Sequence, residues 1–176
     1  MPIGWSTKLS TARNCAQGGE RYNTGITLIH IRMEIPINYL AVLAAAIANM
    51  ILGFLWFGPL LGKQWTAAMG WTEAEMAAGR EKMKKDGWKT YALQALGALI
   101  MAYVTAHYFV FASAYTNTVG VTGGLMVGFW SWLGFVAPVT LGVVLWDGKP
   151  WRLWFIQGGY YLASLLVMGV IIALWQ

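Results

Sequence analysis

The sequence has few charged residues: 11% of its 176 residues are Asp, Glu, Lys or Arg, against about 25% in an average soluble domain. Because 58% of the residues are hydrophobic, a soluble domain of this length would leave too much apolar surface in water. Intrinsic disorder is also excluded, since the apolar fraction is high and the net charge is only +5. The composition therefore indicates a membrane protein.

Residues that build metal, redox and catalytic sites are also scarce. Cys15 is the only cysteine, and His30 and His107 are the only histidines, so neither an intramolecular disulfide nor a Cys/His metal cluster can form. The sequence has no carboxylate pair placed for acid–base work, no Ser-His-Asp set and no phosphate-binding glycine loop. We therefore expect no enzymatic activity, no cofactor and no metal.

What the sequence does have is four apolar segments, at about residues 37–61, 90–112, 121–146 and 151–175. None contains an acidic or basic residue, apart from Arg152 in the first turn of the fourth. Each is longer than the roughly 20 residues that a helix needs to cross a bilayer, and none alternates like a barrel strand. We predict an all-α integral membrane protein with the lipid bilayer as its partner, in which residues 37–176 form a bundle of four transmembrane helices.

Two polar regions flank or connect these segments. Residues 1–36 are a polar tail, interpreted either as disordered or the product of a misassigned start codon, or as a functional N-terminal arm. In the connector at residues 62–89, Thr72 and Glu75 fit a capping box. They predict a short amphipathic helix that ends at Gly87. This helix is interpreted either as an interfacial helix on anionic lipid headgroups or as a solvated connector.

The basic residues lie at the ends of the apolar segments, which is typical of membrane proteins and unlike a nucleic-acid-binding patch. The first and third connectors carry eight of them: Lys63, Arg80, Lys82, Lys84, Lys85, Lys89, Lys149 and Arg152. The loop between the second and third segments carries none. The positive-inside rule therefore predicts a multi-pass inner-membrane protein with loops 62–89 and 147–150 in the cytoplasm and both termini outside.

Small residues on two segments suggest where helices pack. They are Gly124, Gly128, Pro138 and Gly142 on the third segment, and Gly158 and Gly169 on the fourth. Small residues let transmembrane helices approach closely, so we expect the glycine face of the third segment to mediate a homo-oligomer.

Polar side chains within the segments form a candidate pocket or path: Asn38, Asn49, Gln94, Tyr103, His107, Ser131, Gln157 and Ser164. The alternative is that they only form hydrogen bonds between helices. Apart from the tyrosines and Arg152 in the first turn of the fourth segment, His107 is the only ionisable side chain in a segment, and Tyr103, one turn earlier, is an expected hydrogen-bond partner. Trp130 and Trp132 are interpreted either as walls of an aromatic pocket or as packing residues.

Several motifs resemble the bacterial membrane family catalogued as domain of unknown function 1761, over about four fifths of the chain. They include Ile37-Asn38-Tyr39-Leu40-Ala41-Val42, Trp56-Phe57-Gly58-Pro59, Met69-Gly70-Trp71-Thr72, Ala102-Tyr103-Val104-Thr105-Ala106-His107, Gly134-Phe135-Val136-Ala137-Pro138 and Gly159-Tyr160-Tyr161. The resemblance implies a small four-helix membrane protein and no particular activity. Asn38, Trp56, Tyr103, His107 and Pro138 match positions of these motifs.

Two functions stay open at this point. The first is a bundle that binds or scaffolds, with a small hydrophobic ligand as one conceivable partner. The second is an oligomeric transporter of small molecules or lipids, with Asn49, His107 and Gln157 along its path. Proton-coupled pumps usually place an acidic residue in a transmembrane segment, and none of the four segments contains one.

Overall fold

The computed structural model describes residues 37–175, so both interpretations of residues 1–36 lie outside the described part. Of the described residues, 88% are helical and none forms a strand. Four helical stretches are long and apolar enough to cross a membrane: Tyr39–Leu60, Glu73–Thr116, Gly120–Leu145 and Trp151–Leu174. The predictions of an all-helical fold and of four apolar helices of spanning length are therefore confirmed.

Seven α-helices and two π-helical turns make up the described chain. In chain order they are α1 (Tyr39–Leu55), π-turn 1 (Trp56–Leu60), α2 (Gly62–Met69), α3 (Glu73–Thr116), α4 (Gly120–Ser131), π-turn 2 (Trp132–Val136), α5 (Ala137–Thr140), α6 (Gly142–Leu145) and α7 (Trp151–Leu174).

The capping box predicted at the start of α3 is present. The Glu75 N–H donates to Thr72 Oγ1 over 3.3 Å, and the Thr72 N–H donates to Glu75 Oε2 over 2.7 Å. The hydrogen bond from the Thr72 backbone, followed by the one from its hydroxyl, holds the pKa of the Glu75 carboxyl below its ordinary value.

The helix that begins at this cap does not end at Gly87, and that part of the prediction is wrong. Helix α3 continues to Thr116 and has 44 residues, which corresponds to about 66 Å. A glycine inside a helix costs only about 1 kcal/mol, and the apolar segment that follows favours helix on its own. The short helix of this connector is instead α2, which ends at Gly70 with a φ of 72°.

Both π-turns occur next to a proline. Pro59 lies inside π-turn 1, and Pro138 lies two residues after π-turn 2. Proline has no N–H and its ring clashes with the carbonyl four residues earlier in an α-helix. The wider π-turn, closed by i−5 hydrogen bonds to the carbonyls of Trp56 and Trp132, lets the helix pass this point.

Helix α7 packs against α1, α3 and α4, and α3 also packs against α1 and α4. The buried core lies where these helices meet, and α3 contributes three alanines one turn apart. Its members are Val42, Ala45, Ala46, Ala98, Ala102, Ala106, Phe109, Val127, Met168, Ile172 and Ala173. Small side chains allow the helices to approach closely, which drives helix association where lipid removes the hydrophobic effect.

The closest helix contact is between α4 and α7, through glycines on both. A Cβ on Gly124 would overlap the Gly169 carbonyl oxygen, and a Cβ on Gly169 would overlap that of Gly124. A Cβ on Gly128 would lie 2.6 Å from the carbonyl oxygen of Leu165. The part of the expected homo-oligomer face formed by Gly124 and Gly128 is therefore covered by α7 of the same chain.

Candidate functional site

The polar candidates occupy several separate places. Asn38 caps α1, where its Oδ1 accepts from the N–H groups of Leu40 and Ala41, and its Nδ2 donates to the Trp175 carbonyl over 2.9 Å. This amide therefore ties the start of α1 to the end of α7. Its contacts are those of a structural cap.

Asn49 and Ser164 lie deep between the helices. Asn49 on α1 is 1% exposed and accepts a hydrogen bond from the Tyr160 hydroxyl of α7 over 3.2 Å. Ser164 is 0% exposed and lies one turn after Tyr160. The three side chains form a buried polar cluster, called the Asn49 cluster below. Tyr160 was missed as a candidate, although it stands in a family motif four residues before Ser164.

His107 is half-buried on α3 and turns toward Tyr103. Its Nδ1 lies 2.9 Å from the Tyr103 carbonyl oxygen, and the two rings meet edge to face with centroids 4.3 Å apart. The expected Tyr–His contact is therefore present, but the hydrogen bond goes to the backbone and not to the phenol. Within residues 37–175 it is the only hydrogen bond that joins two of the eight candidates.

The remaining polar candidates do not extend a path. Gln94 is exposed on α3, while Gln157 and Ser131 are half-buried on α7 and α4. In the part of the chain that the structure describes, no group of three His, Cys, Asp or Glu side chains could hold a metal ion.

Two of the expected packing residues, Gly142 and Gly158, need no close approach. A Cβ on Gly142 or on Gly158 would find only ordinary contacts, at 3.5 Å from Trp146 and 3.7 Å from Trp154. Pro138 lies in the first turn of α5, after π-turn 2.

Two tryptophans, each the first residue of a π-turn, attach the α1 and α4 segments to α7. Trp56 Nε1 donates to the Ile156 carbonyl over 3.0 Å, and Trp132 Nε1 donates to the Gly158 carbonyl over 2.8 Å. An indole N–H in an apolar interior needs such a partner. Of the two interpretations of Trp132, as a pocket wall or as a packing residue, this contact between helices favours packing.

A cleft of about 270 Å³ lies between the second half of α3 and α4. Its walls are mainly aromatic and aliphatic, with five hydroxyl groups at intervals, one of them the phenol of Tyr108. The lining residues are Tyr108, Phe109, Ala112, Ser113, Thr116, Thr118, Gly123, Met126, Val127, Trp130, Ser131 and Phe135. The rings of Tyr108 and Phe135 belong to its walls, with centroids 6.2 Å apart and planes inclined by 57°, and Trp130 is 61% exposed. We call this the α3–α4 cleft.

A second, more open groove of about 330 Å³ lies between α1 and α3. Only aliphatic and methionine side chains line it: Leu43, Ala46, Ile47, Met50, Ile51, Ala95, Leu96 and Leu99. We call this the α1–α3 groove. It offers neither an aromatic ring nor a hydrogen-bonding side chain.

Residues 40–173 match the family described as "Protein of unknown function (DUF1761)". The chain belongs to this family. The match covers all seven described helices except a residue or so at the outer ends of α1 and α7, and so confirms the resemblance seen in the sequence motifs. No curated protein and no solved structure gives a match.

Membership in DUF1761 assigns no chemistry, so the function has to be argued from the geometry. Two features of this DUF1761 chain were not foreseen in the sequence: the α3–α4 cleft and the role of Tyr160. The signal for the cleft was indirect, since Trp130 and Ser131 of α4 were candidates, but only the pairing of α4 with α3 supplies the opposite wall.

Proposed function

We propose that this protein is a membrane-embedded binding protein that takes a small lipophilic molecule in the α3–α4 cleft. The observation that carries the proposal is the cleft itself, an apolar and aromatic-lined concavity with a few polar groups. Ligand sites generally combine these features. An engineered apolar cavity of about 150 Å³ accommodates benzene, so a cleft of about 270 Å³ suits a molecule roughly twice that size.

The polar groups of the cleft indicate what such a ligand carries. Ser113 and Thr116 donate their hydroxyl protons to backbone carbonyls of α3, over 3.0 and 2.8 Å, which leaves mainly lone pairs facing a ligand. The Ser131 hydroxyl forms no hydrogen bond with the described residues, and Ser131 also lines the cleft. A ligand with an apolar body and one hydrogen-bonding group, such as an alcohol, fits this lining.

The α1–α3 groove is a weaker candidate although its volume is similar. Its aliphatic walls distinguish no ligand from the acyl chains of the surrounding lipid. The α3–α4 cleft has the faces of Tyr108, Phe135 and Trp130 together with hydroxyl groups, and these discriminate by shape and hydrogen bonding.

The proposal keeps the membrane topology predicted from the charges. The connector with α2 and the first turns of α3, and the turn at residues 147–150, would then lie in the cytoplasm, with the cleft in the outer half of the membrane. Within the described residues, no specific contact links Asn49, His107 and Gln157, so no observation favours the transport alternative over binding.

The test is photolabelling of the full chain in lipid nanodiscs with a diazirine derivative of 1-octanol. Labelled peptides are identified by mass spectrometry. We expect saturable labelling of the α3 and α4 residues that line the cleft, with competition by unlabelled 1-octanol.

Two matched variants locate the site. Ala112→Phe places a ring in the α3–α4 cleft and should reduce the saturable labelling at least fivefold, whereas Ala95→Phe fills the α1–α3 groove and should leave it unchanged. Labelling that is spread over all lipid-facing positions and does not saturate would refute the proposed function.

A further inference from the structure

The Asn49 cluster lies at the interface of α1 and α7, away from the residues that line the α3–α4 cleft. Asn49, Tyr160 and Ser164 are 1%, 6% and 0% exposed. One hydrogen bond joins two of them, from the Tyr160 hydroxyl to Asn49 Oδ1. These side chains belong to two of the helices that are long and apolar enough to cross a membrane.

The cluster has more hydrogen-bonding capacity than its own members use. Asn49 Nδ2 and Ser164 Oγ are both buried without a hydrogen-bond partner among the described residues. Turning the amide of Asn49 around does not remove the deficit, because the Tyr160 hydroxyl engages one of its two polar atoms and leaves the other. Buried polar atoms in proteins nearly always have a partner, and ordered water commonly supplies the one that side chains do not.

A glycine and two aromatic rings surround the cluster. Gly53 lies on α1 one turn after Asn49, and a Cβ at Gly53 would lie 3.0 Å from the Tyr160 hydroxyl oxygen. The glycine therefore lets this hydroxyl approach α1 more closely than a residue with a side chain would. The rings of Phe57 and Trp56, with centroids 4.9 and 6.4 Å from that of Tyr160, bound the cluster on the side of π-turn 1.

We propose that the Asn49 cluster binds a water molecule between α1 and α7. The water accepts a hydrogen bond from Asn49 Nδ2, which can only donate, and forms a second one with the Ser164 hydroxyl, which can donate or accept, so that each unpartnered atom gains a partner. No charged side chain takes part, and a neutral ligand with both a donor and an acceptor matches the two atoms better than an ion. This inference does not depend on ligand binding in the α3–α4 cleft.

The direct test is water–amide NMR on the full chain in nanodiscs with ¹⁵N-labelled asparagine. The Nδ2 protons of Asn49, assigned by their loss in Asn49→Ala, should show a cross-peak to water with the sign of a long-lived contact. Ser164→Ala should reduce that cross-peak by at least half. An Asn49 amide signal without a water cross-peak would overturn the proposal.

A second measurement uses a double-mutant cycle of Asn49→Leu and Ser164→Ala, read as midpoints of unfolding in detergent. If both side chains bind the same water, either substitution alone already displaces it. Ser164→Ala should then shift the midpoint of Asn49→Leu by less than half of the amount by which it shifts the midpoint of the native chain. Thr105→Val in place of Ser164→Ala is the matched control. Thr105 is also buried, but its hydroxyl already donates to the Met101 carbonyl, so its effect should add to that of Asn49→Leu. Strict additivity contradicts a shared water, and coupling without the water cross-peak indicates a direct Asn49–Ser164 contact and equally overturns the inference.

Discussion

The contact between α4 and α7 makes a strong prediction about Gly128. An alanine there would place its Cβ 2.6 Å from the Leu165 carbonyl oxygen and 2.9 Å from the Leu166 nitrogen. These are backbone atoms, which cannot rotate away as a side chain could, so α4 and α7 must move apart. Overpacking of this kind typically costs about 1–3 kcal/mol, and we expect Gly128→Ala to lower the free energy of unfolding by about that amount.

Gly97→Ala is the matched control for this prediction. Gly97 also lies within a helix, on α3, but a Cβ there meets nothing within 4 Å. Alanine is about 0.5–1 kcal/mol more favourable than glycine in a helix, so this variant should be slightly more stable than the native chain. The two alanine variants should therefore differ by roughly 2–4 kcal/mol.

Unfolding by SDS titration in mixed micelles, followed by circular dichroism, measures this difference. Light scattering on the folded fraction adds a second readout. If the glycine face joined two copies, Gly128→Leu would lower the mass of the folded particle. Because α7 covers that face, we expect loss of the folded chain without such a change in mass. Gly128→Ala as stable as Gly97→Ala would refute the packing argument.

Three further predictions concern the connections between elements. Trp132→Phe removes the indole N–H that donates to the Gly158 carbonyl of α7 and should lower the free energy of unfolding by about 1 kcal/mol. Trp130→Phe removes no hydrogen bond to α7 and should change the free energy of unfolding less. SDS titration of the two variants measures the difference. Because hydrogen bonds from Thr72 lower the pKa of Glu75 in the folded chain, the capping box contributes fully above the ordinary carboxyl pKa and is lost as pH falls through the lowered value. Intrinsic amide exchange itself slows as pH falls, so the quantity to measure is the protection factor, which is the intrinsic rate divided by the observed rate. Protection factors in the first turn of α3 should fall over that acid range, and constant protection factors would contradict this. Lys149→Met removes an ammonium that donates to the last carbonyl of α2 over 2.9 Å. Amide exchange in α2 should therefore increase severalfold, while exchange in α4 stays unchanged. Equal exchange in α2 of Lys149→Met and of the native chain would contradict the contact.

The helical architecture could be predicted because membranes impose simple rules. Long apolar segments without charge must be helices, since lipid offers no partner to backbone groups. The start of α3 was equally readable, because the hydroxyl of Thr72 and the carboxylate of Glu75 have the required spacing. Its end was not, because Gly87 only weakens a helix locally, and the apolar segment that follows carries the helix onward.

The candidate site was harder to predict because it depends on which helices are neighbours. The stripe with Gly124 and Gly128 correctly marks a surface of close contact, but a stripe carries no information about whether the partner is α7 or another copy. Tyr160 gains its meaning only from Asn49, which is 111 positions away in the chain. The α3–α4 cleft likewise exists only once α3 and α4 are paired.

The proposed ligand binding is tested most directly by ¹⁹F NMR of the chain labelled with 5-fluorotryptophan. Trp130 is the only tryptophan among the described residues that lines the α3–α4 cleft, and its signal is assigned by its loss in Trp130→Phe. On titration with 1-octanol in nanodiscs, the signal of Trp130 should shift to saturation, that of the exposed Trp151 should not, and Ala112→Phe should abolish the shift. If both tryptophans shift together in proportion to octanol, or if Ala112→Phe leaves the titration unchanged, the α3–α4 cleft is not a binding site.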